Sequence, residues 1–344
     1  MFKFISHFIF LTIFICFSGC AQDGPIRRAI KEKYTKKLEK IAFDSDNAPS
    51  PFPVIDRFNN ENLTAGDYRR ITKFQSRERF YDIHLPSNFT INKKFPVVFV
   101  FHGGGGNPEQ ARSDYGMDMV SDENDFIVVY PAGTGKSRTR FLTFNAGECC
   151  GYAKENNIND LGFVNFILDE LENNLNIDPK KIYASGLSNG AFMSYRLACD
   201  SSNRFAAIAP VAGVLGKNLE NCNPSNQVPI IHFHGKKDEH ILYNGGISKV
   251  GFIKEDWVSV NELIYYWLNI NKIEKESLIT SKIGNAILSK FGPNAQGTKI
   301  KLWTLEDGGH TWPGGKSKLK ATGKVNQDIN ASELIWDFFK QYSR

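Results

Sequence analysis

The run Phe126-Ile127-Val128-Val129-Tyr130-Pro131 is apolar at consecutive positions, not at alternate ones. A strand written this way is covered on both faces, which places it inside a mostly parallel sheet with helices on either side. The rest of the chain repeats the theme. "RFYDIHLP" and "PVVFVFH" read as neighbouring strands, and a helical stretch from about Pro108 to Asp122 leads into "FIVVYP". Phe163, Ile167, Leu171 and Leu175 then mark one helix face that Pro179 helps to end. Further on come "FAAIAPV", "VPIIHFH", a helix through Trp257 to Leu268, the strand "KIKLWTL" and a last helix at "ASELIWDFF". Strands alternating with helices predict an α/β fold with a mostly parallel central sheet and helices on both faces. The C-terminal strand ends should then gather at one edge.

One of those strands runs into Gly186-Leu187-Ser188-Asn189-Gly190 and out into helical spacing at Phe192, Met193, Tyr195, Arg196 and Leu197. A serine here is equally at home as a helix cap. Glycines two residues before and after it are what a tight strand-to-helix elbow needs to expose a nucleophile. Such a nucleophile requires a base, an acid and donors for an oxyanion. Asp238 lies four residues past His234, on a loop leaving that strand, and His310 lies in the glycine-rich loop after "KIKLWTL". The order Ser188, Asp238, His310 is that of the α/β-hydrolases and differs from the serine-protease orders. In this set His310 takes the serine's proton, while Asp238 fixes the imidazole tautomer. Oxyanion donors are expected from Gly104, in "FHGGGGN", and from the amide of Asn189. Because no Gly-Lys-Ser/Thr follows the glycines, a phosphate cradle is disfavoured. Two alternatives stay open: Glu239 as the acid, and His232, His234, Asp238 and His240 as metal ligands, since i and i+2 on a strand share a face.

The segments "HGGGGN", "NAGECCGYA", "GLSNGAFMSYRLAC", "PVAGVL", "VPIIHFHGKKDEH" and "GGHTWPGG" resemble the extracellular poly(3-hydroxybutyrate) depolymerase and feruloyl esterase group, allied to carbohydrate esterase family one. The likeness runs from about Arg79 to the C-terminus. It implies an α/β-hydrolase fold, carboxylic-ester hydrolysis without cofactor or metal, and a triad at Ser188, Asp238 and His310. Relatives in that group cleave feruloyl, acetyl and polyester bonds, so the ester stays open. Feruloyl or acetyl esters on polysaccharide or oligosaccharide are the expectation, with a polyester substrate as the rival. A glycan-binding lipoprotein without catalysis is a further rival on the same scaffold.

The first residues carry one Lys, an apolar stretch and then Phe17-Ser18-Gly19-Cys20. That is an export signal over 1–19, and its end resembles the bacterial lipoprotein box, with Cys20 as the lipidated residue. An exported, membrane-anchored lipoprotein is expected, or otherwise a secreted protein. Residues 20–60 read as a basic tether and 61–344 as the catalytic domain. The net charge of +5 is modest and spread along the chain, which argues against nucleic acid. Of the other cysteines, Cys16 falls in the signal, while Cys149, Cys150, Cys199 and Cys222 allow three full pairings. Cys199 with Cys222 is favoured. Trp312 is expected near the pocket mouth as a substrate contact, because large apolar residues seldom lie in a glycine-proline loop without a reason, with Phe144 and Tyr152 as weaker candidates.

Overall fold

The computed structural model describes residues 49–55, 58, 63–248, 250, 255–317 and 320–344. The signal segment, Cys16, Cys20 and most of the tether lie outside the described residues. Eleven strands form one sheet: β1 (Val54–Ile55), β2 (Gly66–Phe74), β3 (Arg77–Leu85), β4 (Phe95–Phe101), β5 (Ile127–Pro131), β6 (Ile177–Leu187), β7 (Ala207–Val211), β8 (Ile230–Gly235), β11 (Ile279–Ile283), β12 (Ala286–Phe291) and β13 (Ile300–Leu305). A separate short ribbon pairs β9 (Gly246–Ile247) with β10 (Asp256–Trp257). The order across the large sheet is β1-β2-β3-β5-β4-β6-β7-β8-β13-β12-β11. From β5 to β13 every neighbouring pair is parallel, and antiparallel hairpins flank that block.

Both faces of the parallel block are covered, as the consecutive apolar runs require. Every residue of β5, β7 and β8 is buried. Alternation sends Val97, Phe99 and Phe101 into one core and Val98 and Val100 into the other. The first core packs under α4 (Asp160–Asn174), α5 (Asn189–Asp200) and α6 (Val260–Ile270). The second packs under α1 (Pro108–Tyr115), α2 (Met117–Asn124) and α7 (Ala331–Phe339). A short α3 (Gly151–Glu155) precedes α4. Among the described residues no helix is long and apolar enough to cross a membrane.

Four sequence expectations change. Strands β3 and β4 are not neighbours, because β5 inserts between them, pairing antiparallel with β3 and parallel with β4. The helix expected from Pro108 to Asp122 is two helices, broken at Gly116, whose φ of 73° leaves the helical region. Pro179 does not end α4, which stops at Asn174. It lies within β6, where the register with β4 jumps from Ile177 to Ile182, so the proline's missing N–H breaks no ladder bond. Trp257 belongs to β10, and α6 starts later at a capping box between Ser259 and Glu262. The edge strands β1 and β2 and the β11–β12 hairpin were not anticipated. β1 pairs with β2 at Val54 and Ile55, so the sheet takes in residues before position 61.

Candidate active site

Ser188 occupies the sharp turn between β6 and α5 with φ 56° and ψ −119°, a backbone state that costs a non-glycine residue about 1–3 kcal/mol. Although it stands at the N-cap position, its side chain makes no capping hydrogen bond. That answers the competing assignment as a simple helix cap. The turn is tied by the Ser188 amide, which donates to the Val211 carbonyl at 2.9 Å. The glycines have a steric cause. A Cβ on Gly190 would stand 2.3 Å from the Phe101 carbonyl oxygen, and one on Gly186 would stand 2.7 Å from the same atom. Only without those side chains can the elbow close onto the end of β4.

The candidate acid and base, Asp238 and His310, arrive from the ends of β8 and β13. Both strands are parallel to β6, with Leu187, Val211, Phe233 and Trp303 linked in one register row. The three loops therefore leave the same edge. His310 Nδ1 lies 2.7 Å from Asp238 Oδ2. Asp238 Oδ1 accepts from the amides of His240 at 2.8 Å and Ile241 at 2.9 Å. Burial alone would raise the Asp238 pKa, but the charge and hydrogen bond of His310, with His234 and the Ile241 amide, hold it below the ordinary aspartate value. An ionised carboxylate on Nδ1–H leaves Nε2 of His310 with its lone pair, as a general base requires. The approach depends on Gly235, where a Cβ would stand 2.2 Å from the Gly308 carbonyl oxygen. Glu239, the alternative acid, is exposed, whereas Asp238 is buried.

The glycine loop resolves into engaged and free amides. Gly105 N–H donates to Leu142 O and Gly106 N–H to Gly103 O. The amides of Gly104 and Asn189 find no protein acceptor among the described residues, whereas that of Gly103 is engaged by the Tyr115 hydroxyl oxygen. His102 supplies the orientation. Its Nε2 accepts from the Gly133 amide at 3.0 Å, so its Nδ1–H must donate to the Gly103 carbonyl at 2.8 Å. In a planar trans peptide the next N–H, that of Gly104, points the opposite way. Burial lowers the His102 pKa to about 4, which keeps this tautomer at neutral pH. A Cβ on Gly104 would stand 3.6 Å from Asn189 Cβ, so the two residues are neighbours. The side chain of Asn189 is occupied elsewhere, bonding both the N–H and the carbonyl of Phe144 at 2.7 and 2.9 Å. Gly104 and Asn189 are the donors expected from the sequence; His102, whose only signal there is its place beside the glycines, is not among the expected site residues.

His232 and His234 have both ring nitrogens committed within the protein, which leaves no lone pair for the alternative assignment as metal ligands. Trp312 is a correction. It is 1 % exposed, stacks on Tyr115 with ring centroids 4.3 Å apart, and donates its indole N–H to Ser332 Oγ at 3.0 Å. The indole is a core rivet between α1 and α7, with no free face for a substrate ring. Phe144 is likewise buried, against His102 and Phe101, while Tyr152 is half-buried. Cys199 and Cys222 form the favoured disulfide, S–S 1.93 Å, tying the end of α5 to the loop after β7. The adjacent Cys149 and Cys150 are also joined as a disulfide, with Cys149 Sγ 3.6 Å from Asn189 Nδ2.

A family model described as "Putative esterase" matches residues 73–244, half of the chain, and spans the glycine loop, Ser188 and Asp238. The chain belongs to this esterase family. The chain is 28% identical over 265 residues to feruloyl esterase B of Piromyces equi, covering 76% of this chain and 45% of that one. It is also 28% identical over 282 residues to the bifunctional acetylxylan esterase/xylanase XynS20E of Neocallimastix patriciarum, covering 81% and 35%. It thus spans less than half the length of each of these two relatives. Among solved structures, an acetyl xylan esterase from Aspergillus awamori superposes with a TM-score of 0.51 at 15% identity, covering 68% of this chain and 89% of that one. The shared architecture is the α/β-hydrolase fold.

Proposed function

We propose that this esterase hydrolyses feruloyl or acetyl esters carried by polysaccharide or its fragments, through a Ser188-His310-Asp238 triad and an acyl-enzyme. The observation that carries the reading is the buried 2.7 Å contact of His310 Nδ1 with Asp238 Oδ2, at the sheet edge where Ser188 sits in a strained elbow free of any capping bond. Ser188 Oγ attacks the ester carbonyl as its proton passes to His310 Nε2, and the oxyanion is received by the amides of Gly104 and Asn189. The tetrahedral intermediate collapses, the alcohol leaves with the proton from His310, and an acyl-serine remains. Water, deprotonated by the same imidazole, then releases the acid and restores Ser188.

The choice of ester draws on the names of the relatives, a feruloyl esterase and an acetylxylan esterase. Poly(3-hydroxybutyrate) is the competing substrate. Parallel rates on methyl ferulate, acetylated xylan and poly(3-hydroxybutyrate) film test the reading, and fastest turnover on the film would overturn the polysaccharide preference. No turnover of any ester, with no labelling of Ser188 by a phosphonate, would leave a glycan-binding protein on a hydrolase scaffold. Export and lipid attachment at Cys20 belong to the same proposal and rest on the first twenty residues. Cys20→Ala is expected to move the protein from the membrane fraction to the soluble exported fraction with esterase rates unchanged. Intact mass showing cleavage without lipid would refute the anchor.

A further inference from the structure

We infer that His234 is a positioning residue for the catalytic carboxylate, locked in one tautomer by a buried hydrogen-bond chain that runs from Tyr195 through His232 and ends on the Asp238 turn. The inference rests on the triad assignment proposed above.

Each step of the chain has only one possible direction. The Ile241 carbonyl can only accept, so His234 Nε2, 2.8 Å away, carries the hydrogen. A neutral imidazole then presents Nδ1 as an acceptor, and His232 Nε2–H donates to it at 3.1 Å. His232 Nδ1 must in turn accept, and the Tyr195 hydroxyl supplies that proton at 2.8 Å. Tyr195 and His232 are wholly buried and His234 is 1 % exposed. Burial holds both histidines below the ordinary imidazole pKa; for His232 the neighbouring His234 adds to the effect, and for His234 the Asp238 charge opposes it without prevailing.

The end of the chain is placed to act on Asp238 in two ways. His234 grips the carbonyl of Ile241, the residue whose amide donates to Asp238 Oδ1. Its Nε2 also lies 3.5 Å from Asp238 Oδ2, the oxygen that His310 uses. The imidazole therefore fixes the turn and withdraws part of the carboxylate charge from His310. Around His234 stand His232, the Tyr243 ring, whose hydroxyl pairs with Thr304, the Asp238 carboxylate and, across it, His310. Around His310 stand Asp238, the His240 ring at 4.8 Å and, beyond the carboxylate, His234.

The test uses the full-length enzyme and three substitutions, His234→Leu, His234→Gln and Tyr195→Phe. Leu removes the donor, and kcat is expected to fall about 10- to 100-fold with KM within about twofold, as for a displaced catalytic group. With the carboxylate charge concentrated on the catalytic imidazolium, the pH at half-maximal kcat/KM should move upward by about half a pH unit. Gln places an N–H near the position of Nε2 and should restore the pH profile, with kcat within about fivefold of the parent. Tyr195→Phe removes one oxygen, releases the tautomer lock and should displace the profile in the same direction while the fold survives. It decides the matter if the Leu variant does not fold. Wild-type pH profiles in folded Leu and Phe variants overturn the inference while Ser188 still takes up a phosphonate. Failure of Ser188 to label, with Ser188→Ala still active, overturns the triad reading and this inference together.

Discussion

The nucleophile side and the acid-base side of the site are built on different principles. Ser188, Gly104 and Asn189 are placed by backbone: a strained turn, glycines against the end of β4, and peptide planes with free amides. Asp238 and His310 are placed by side chains and long loops: a buried carboxylate with four polar neighbours, and a loop held through the His310 amide to Thr322 O at 2.6 Å. The first half is stiff because backbone alone sets it, whereas the second depends on side-chain contacts and the loops that carry them. Loss of Ser188 should abolish chemistry outright, whereas loosening the contacts that support Asp238 and His310 should be graded and sensitive to pH.

The largest expected effect tests the stiff half. Ser188→Ala should lower kcat by about a millionfold, leaving only the residual catalysis of the oxyanion donors and binding. Its thermal midpoint should be preserved or raised, since the serine side chain makes no capping hydrogen bond for the substitution to remove. Retention of more than a few per cent of turnover in a clean preparation would remove Ser188 from the mechanism. Next comes the orientation of the glycine loop. His102→Phe removes the Nδ1–H that holds the Gly103 carbonyl, freeing the Gly104 amide to turn away. A loss of about 100- to 1,000-fold in kcat, with KM little changed, is the scale of one missing oxyanion donor. An unaltered kcat in a folded variant would mean that Gly104 does not face the oxyanion.

The third prediction concerns pH and stability. His102 is neutral when folded, with a pKa lowered to about 4, but titrates near 6.5 when unfolded. Between those values the unfolded chain binds more protons, so stability must fall as the pH falls through that window. His102 alone contributes roughly 3 kcal/mol of this loss, and His232 and His234 act in the same direction. Asp238, whose folded pKa is lowered, stabilises above its unfolded value and adds a further loss at lower pH. Denaturant midpoints at pH 7 and pH 4.5 measure the slope. A His102→Gln variant with an undiminished slope would show that the burial of this imidazole is not the cause.

The same contrast explains what could be read from the sequence. The elbow was legible because its requirements are local: glycines at fixed offsets, an apolar strand before and helical spacing after. The Ser, acid, His order was legible because each residue follows a strand of the parallel block. The pairing of β3 with β5 and not β4 was hidden, since strand order across a sheet is set by crossovers that leave no mark on local periodicity. The β11–β12 hairpin carried its own signal, Gly284-Asn285 between two β-rich runs, with Gly284 at φ 54°. His232 and His234 appeared as two histidines on one strand face, which fits a metal as well as a chain of hydrogen bonds. Only the positions of Tyr195 and Ile241, from other segments, separate those readings.

Trp312 gives the smallest and most discriminating test of the graded half. In sequence it stood in a glycine-proline loop two residues beyond His310, which suggested a pocket rim. Its burial depends on Tyr115 and Ser332, and Ser332 Oγ in turn donates to the Tyr115 carbonyl at 2.7 Å across 217 residues of sequence. Trp312→Phe keeps an aromatic ring against Tyr115 but loses the indole N–H bond and leaves a small void. Ser332 retains its own acceptor, so no buried donor is stranded. The expected cost is therefore about 1–3 kcal/mol of stability, combining one neutral hydrogen bond with incomplete repacking. Because the ring touches no substrate, KM for methyl ferulate and for acetylated xylan should keep the same ratio as in the parent. A selective rise in the ferulate KM, with stability unchanged, would return Trp312 to the pocket and place the boundary between core and site on the other side of the His310 loop.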